Sequence, residues 1–67
     1  MSKETALRTI MRMSRRECVA VSFELNISSK VIASLSVFDA RAELVMKLFS
    51  RNEQDVIDAL ASEQPND

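Results

Sequence analysis

Residues 19–27 decide the fold of this chain, and they read Val-Ala-Val-Ser-Phe-Glu-Leu-Asn-Ile. Odd positions carry large apolar side chains and even positions carry small or polar ones, which is the pattern of a half-buried β-strand. Valine and phenylalanine also favour strands. A single strand needs an edge partner, however, and here only a second copy of the chain could supply it. As a helix, the same segment is apolar nearly all round, as the interface of an intertwined dimer requires.

The rest of the composition favours helices. The 67 residues include no glycine, and Pro65 is the only proline. Tight hairpins usually need Asn-Gly or Asp-Gly, so we expect helices joined by short connections of Ser, Asn and Asp. We therefore predict an all-α fold, a small bundle of three to four helices that forms an intertwined homodimer. Residues 1–61 make a single helical domain, and residues 62–67 make a frayed C-terminal tail.

Capping residues set the expected helix boundaries. Ser2 can cap a first helix, Ser28 or Ser29 a second, and Asp39 a third. Asn52 can cap a fourth helix whose acidic first turn suits the helix dipole. The second helix is expected to carry Val31, Ile32, Leu35 and Phe38 on one side. The third is expected to bury Leu44, Val45, Leu48 and Phe49.

Arginines are concentrated near the N-terminus, at spacings of i, i+4, i+7 and i+8 that place them on one face of the first helix. This face could contact DNA phosphates, which would make affinity depend strongly on salt. It could equally be a solvated face partly paired with Glu4 and Glu17. The net charge of −1 is unlike that of most nucleic-acid-binding domains. The candidate DNA-contact residues are Arg8, Arg12, Arg15 and Arg16.

Catalytic and metal-binding chemistry is not indicated. The chain has no histidine and one cysteine, so it can form neither a Cys/His zinc set nor an internal disulfide. We predict that it is not an enzyme and has no catalytic residue, metal or cofactor. Cys18 is expected to be a small buried apolar residue. Three methionines are expected to fill gaps in the core or to form an adaptable partner surface: Met11, Met13 and Met46.

No segment is expected to enter a membrane or direct export. The longest apolar run is far below the roughly 20 residues that a membrane-spanning helix needs. The N-terminal residues are polar, so they do not form the apolar core of a signal peptide. We therefore expect a cytoplasmic protein.

Residues 12–39 hold an ordered set of positions, which are Arg12-Met13, Arg15, Glu17, Phe23-x-Leu25-x-Ile27-Ser28, Val31, Leu35, Phe38 and Asp39. In order and spacing they resemble the core of FlhD, the smaller subunit of the FlhDC family of transcriptional activators, which includes flagellar and conjugative-element types. Four positions depart from the family, and residues 52–60 contain no counterpart of a cysteine that it has there. Asn26 replaces its glycine, Glu24 replaces an arginine, and Arg41-Ala42 replaces Pro-Gln. A C-terminal segment that FlhD uses near DNA has no counterpart in residues 1–67.

The resemblance implies a function as well as a fold. It implies an intertwined homodimer that binds a FlhC-like partner carrying its own zinc, and that regulates promoters by recruiting RNA polymerase. DNA contact is then expected only within the complex. The expected dimer or partner interface comprises Val21, Phe23, Leu25, Ile27, Val31, Leu35, Phe38, Leu44 and Leu48.

Two other functions stay open from the sequence. One is a ribbon-helix-helix repressor, in which residues 19–27 form a strand that pairs with a second copy and enters the major groove. Its outward residues would be Ala20, Ser22, Glu24 and Asn26, which lack the Arg, Lys or Gln that usually read bases. The other is a helical chaperone or inhibitor that binds a protein partner through the acidic C-terminal third and contacts no nucleic acid.

Overall fold

The computed structural model describes residues 1–63, which form five helices and no strand. The helices are α1 (Lys3–Ile10), α2 (Arg15–Glu24), α3 (Ser29–Ser34), α4 (Val37–Leu48) and α5 (Glu53–Glu63). The all-α prediction is confirmed, with one helix more than expected. Residues 19–24 lie in α2, so the strand interpretation is wrong. The strand that a ribbon-helix-helix repressor would insert into DNA is therefore not found within residues 1–63.

Residues 19–27 contain the C-terminal end of α2 and the turn that follows it. Asn26 adopts a left-handed backbone with φ of 60°. The N–H of Ile27 donates to the carbonyl of Ser22 at 2.9 Å, and the N–H of Asn26 donates to that of Phe23 at 3.2 Å. These two bonds form a Schellman motif, in which glycine usually takes the left-handed position and asparagine is the next choice. The segment is thus a helix followed by its exit, as the helical interpretation predicted.

A second helix start separates α1 from α2. The Ser14 hydroxyl accepts from the N–H of Glu17 at 3.2 Å, and the Glu17 carboxylate accepts from the N–H of Ser14 at 3.0 Å. This capping box satisfies two backbone donors and starts a new helix after the turn that follows Ile10. The prediction that four arginines share one helix is therefore wrong. Arg8 lies on α1 and Arg12 in the turn, whereas Arg15 and Arg16 lie in the first turn of α2.

The start of α4 also differs from the expected one. Its N-cap is Ser36, whose hydroxyl accepts from the N–H of Asp39 at 3.1 Å, so Asp39 lies inside the first turn. Leu35 has an extended backbone and ends α3. Phe38 consequently belongs to α4 and does not share a helix with Val31, as had been predicted. Asp39 still favours the helix because a carboxylate near the N-terminus complements the helix dipole.

The core lies between α1, α2, α4 and α5, with α3 packed on α2. Helix α1 is antiparallel to α4, since Lys3 lies over the ring of Phe49 whereas Met11 shares a groove with Phe38. Helix α5 continues to Glu63, two residues beyond the predicted end of the domain. Residues 64–67 of the predicted tail lie outside the described residues. The buried apolar residues are Ala6, Ile10, Met13, Cys18, Val21, Ile32, Ala40, Leu44, Leu48, Val56, Ile57, Ala59 and Leu60.

Candidate interaction surface

All three aromatic residues of the chain are on its surface. Phe23 is 75% exposed, Phe38 is 74% exposed, and Phe49 is also exposed. Phenylalanine is among the residues most often buried, so its exposure at every position is informative. Exposed apolar patches on small soluble proteins commonly mark contacts with another macromolecule.

Two of these phenylalanines lie on the outer face of α4, which we define as Phe38, Ala42, Val45, Met46 and Phe49. Most of it lines a shallow apolar groove to which Met11, just after α1, also contributes. The opposite side of the same helix is fully buried and carries Ala40, Leu44 and Leu48. A helix that is apolar on two opposite sides is suited to burial on both. One of the two sides is uncovered here.

Arg41 holds one edge of the groove in place. Its Nε–H donates to the carbonyl of Met13 at 2.8 Å, which joins α4 to the turn between α1 and α2. The guanidinium also lies 5.9 Å from the centre of the Phe38 ring, within the range of a cation–π interaction. These contacts hold the exposed ring of Phe38 in a defined orientation on the surface.

Phe49 marks the other end of the outer face. The Nζ of Lys3 lies 4.8 Å from the centre of its ring and also pairs with Glu53 at 3.1 Å. One lysine thus joins the start of α1 to the end of α4 and the start of α5. The prediction that Phe49 belongs to the buried face of its helix is wrong, because its side chain is exposed and its spacing from Phe38 places it on the outer side of α4.

Phe23 belongs to a different surface. It points away from the core side of α2, where Cys18 and Val21 are buried. Glu24, the next residue, borders a depression that Asp55 and Asp58 of α5 also line. Exposed Val31 lies on α3, the helix that packs against α2. Phe23 and Val31 are therefore exposed apolar side chains on two packed helices, and the neighbouring Glu24 belongs to an acidic depression between α2 and α5.

The predicted interface residues fall into three groups in the structure. Val21, Leu44 and Leu48 fill the core of a single chain, so they are not surface positions of this fold. A second group, partly buried against the core, comprises Leu25, Ile27 and Leu35. The third group is exposed and comprises Phe23, Val31 and Phe38.

All four arginines proposed for DNA contact are exposed, but they do not form one row. Arg8 pairs with Glu4 at 2.8 Å. Arg8 and Arg12 line a depression to which Glu17 also contributes. Hydrogen bonds from the backbone and side chain of Ser14 lower the pKa of Glu17, so this carboxylate stays charged near the arginines. The local field is therefore mixed in sign.

Cys18 is fully buried, as predicted. Burial raises the pKa of its thiol, and the nearby charge of Arg41 opposes that shift. A buried thiol with a raised pKa is a poor nucleophile. Of the three methionines, Met13 fills the core, whereas Met11 and Met46 are exposed on or beside the outer face of α4.

The outer face of α4 was missed at the level of sequence. Its signal is the spacing of Phe38, Ala42, Val45 and Phe49, which lie 4, 3 and 4 residues apart. The assumed helix start at Asp39 separated Phe38 from the other three. Val45 and Phe49 were then grouped with Leu44 and Leu48, although only the latter pair is fully buried, Val45 is partly buried against the core and Phe49 is exposed.

The described part of the chain gives no indication of a metal site or of a membrane-spanning helix. No group of three or more His, Cys, Asp or Glu side chains in residues 1–63 could hold a metal ion. None of the helices described above combines the length and apolar character needed to cross a membrane. The chain matches no protein-family model, no curated protein and no solved structure.

Proposed function

We propose that this chain is a small helical interaction subunit that dimerises and binds a second protein, and that it regulates bacterial transcription in the manner of FlhD. The observation that carries the proposal is the exposure of Phe23, Phe38 and Phe49. A single chain closes its own core and leaves every aromatic side chain for contact with something else. Protein interfaces are enriched in aromatic residues and methionine at their centres.

Two features support the FlhD-like form of the proposal. Phe23, Val31 and Phe38 are exposed and belong to the positions that the resemblance places at an interface. Asn26 stands where the family has glycine, and it adopts the left-handed conformation that glycine and asparagine tolerate best. The substitution therefore preserves the helix exit that a glycine would provide.

DNA contact is secondary in this proposal. The arginines are divided between α1, a turn and α2, and Glu4 and Glu17 lie among them. Such a surface gives weak, salt-sensitive attraction to phosphates at best. The partner protein supplies most of the DNA affinity, and the activity belongs to the complex in the cytoplasm.

A mobility-shift assay with three mixtures tests this function. The purified chain alone is expected to leave promoter DNA unshifted at nanomolar concentration and physiological salt. Together with a FlhC-like protein, it is expected to shift the DNA at lower concentration than that protein alone. A shift by the chain alone would contradict the proposal that the partner protein supplies most of the DNA affinity. Failure of the two proteins to co-elute from a size-exclusion column would contradict the proposal that the chain acts as a FlhD-like subunit.

A chaperone or inhibitor that binds no nucleic acid is the second candidate, favoured by the acidic depression between α2 and α5. Glu24, Asp55 and Asp58 suit a basic segment of a partner protein better than they suit DNA. In this case binding to an isolated basic partner would weaken with salt and with Asp55→Asn. Adding the chain to the FlhC-like protein would then leave the shift of promoter DNA unchanged.

A further inference from the structure

The outer face of α4 has the residue spacing of a helix-pairing seam. Phe38, Ala42, Val45 and Phe49 repeat at intervals of 4, 3 and 4 residues, as the core positions of a coiled coil do. Met46 flanks this row. The small side chain of Ala42 lies near its middle and lets another helix approach closely. A second helix is therefore a better geometric fit to this face than a flat surface or a small ligand.

The exposed area is enough for a pair of copies. Phe38, Met46, Phe49 and Met11 are between 55% and 74% exposed. At about 200 Å² for a fully exposed side chain of this size, they leave roughly 500 Å² of apolar surface on one chain. Two copies meeting through it would cover about 1,000 Å², the lower bound of a stable interface before the surrounding polar residues are counted.

Charge separates this face from the other surfaces of the chain. Helix α4 carries two acidic and two basic residues, so a second copy meets no net repulsion there. Phe23, by contrast, is followed along the chain by Glu24, which lines an acidic depression with Asp55 and Asp58 of α5. Self-association through this depression would bring like charges together, which is destabilising. In a twofold-symmetric dimer the same patch of each copy forms the contact, so the charges of the patch must not repel those of an identical patch.

We propose that the outer face of α4, together with Met11, binds the same face of a second copy of this chain. The inference rests on the proposed function and assigns its dimer contact to one surface. The two chains meet as closed helical domains, each with its own core, and no element is exchanged between them. Phe23 stays exposed in the dimer and is left for the partner protein.

Paired glutamate variants test the assignment, because Phe38 and Phe23 are almost equally exposed and differ in the surface they belong to. Sedimentation equilibrium should give the wild-type chain twice the 7.5 kDa mass of one copy. Phe38→Glu and Met46→Glu should each raise the dimer dissociation constant by at least about a hundredfold, because each removes a large apolar side chain from the contact and puts a charged group in its place. Phe23→Glu should leave it within about threefold of the wild-type value, since a surface outside the interface adds little.

Two outcomes would overturn the inference. One is a dimer that survives both Phe38→Glu and Met46→Glu, with circular dichroism showing that the variants are folded. The other is a wild-type chain that stays at 7.5 kDa up to millimolar concentration. Neither result would by itself remove the proposed partner binding, which is measured by co-elution with the FlhC-like protein. Conversely, if the chain still forms a dimer but does not co-elute with the FlhC-like protein, the proposed partner binding is contradicted and the α4 contact is not.

Discussion

Asn26 shows how a chain without glycine ends a helix. Its φ of 60° places it in a region that costs most L-residues about 1–2 kcal/mol. Asparagine is one of the few exceptions. The two backbone bonds that close the motif depend on this one conformation, and they direct the chain from α2 toward α3.

Substitutions at Asn26 should therefore separate backbone freedom from side-chain chemistry. Asn26→Ala is expected to lower the free energy of unfolding by about 1 kcal/mol, because alanine resists the left-handed region. Asn26→Gly should be neutral or slightly stabilising. Urea unfolding followed by circular dichroism measures both. Equal stability of the alanine and glycine variants would mean that the left-handed conformation at this position is not needed.

Glu17 provides a pH-dependent contribution to the start of α2. The hydrogen bonds from Ser14 lower its pKa below the ordinary 4.5. A carboxylate with a lower pKa in the folded state stabilises the fold above its unfolded pKa, and the contribution disappears as pH falls through the folded pKa. Since the group is exposed, the contribution is only about 0.5 kcal/mol.

Glu17→Gln isolates this effect because glutamine can keep the bond to the Ser14 N–H without carrying a charge. The wild-type chain should lose stability relative to this variant between roughly pH 5 and pH 3. Thermal melts at a series of pH values give the comparison. Parallel pH profiles for the two proteins would show that the capping carboxylate does not contribute in its charged form.

At the scale of the element, α4 has two apolar sides with different tasks. Leu44 is fully buried against the other helices of its own chain, whereas Met46 is exposed on the opposite side. Truncating a buried leucine removes contacts and leaves a cavity. Truncating an exposed methionine removes few contacts and leaves no cavity in a single chain.

Alanine substitutions should distinguish the two sides of α4. Leu44→Ala is expected to destabilise the chain by about 2–5 kcal/mol, enough to unfold much of so small a domain. Met46→Ala should change the stability of a dilute sample by less than about 0.5 kcal/mol. Chemical unfolding at low micromolar concentration keeps dimer formation from masking the difference. A large loss for Met46→Ala under these conditions would place it in the core of one chain.

Helices were predictable from this sequence because glycine is lacking and apolar residues recur at helical spacing, but their boundaries were only partly so. Ser14-Arg15-Arg16-Glu17 and Ser36-Val37-Phe38-Asp39 share the spacing of a serine followed three residues later by an acid. That spacing marks a helix start, and both starts were overlooked in favour of apolar periodicity and of Asp39 itself. The outer face of α4 was not predicted for the same reason, because a helix start at Asp39 leaves Phe38 outside the helix that carries the rest of this face. Whether an apolar helix side faces its own core or a partner depends on tertiary packing, which periodicity alone does not encode.

At the scale of the whole molecule, the chain forms a small core and leaves much apolar surface uncovered. Its radius of gyration is 10.6 Å, close to the value of about 11 Å expected for a compact chain of this length. A domain of fewer than about 70–80 residues usually needs a disulfide, a metal or an oligomer for ample stability. The single buried cysteine can form no internal disulfide, and the exposed phenylalanines offer the means for association.

Isotope-filtered NOE spectroscopy on a mixture of ¹³C-labelled and unlabelled chains tests this central claim most directly, because it reports only contacts between copies. We expect intermolecular signals from the Phe38 ring and the Met46 methyl group, and none from Val21, Leu44 or Phe23. Signals from Val21 and Leu44 would instead indicate an intertwined dimer that shares one core. Signals confined to Phe23 and Val31, or none at all at millimolar concentration, would contradict pairing through the outer face of α4.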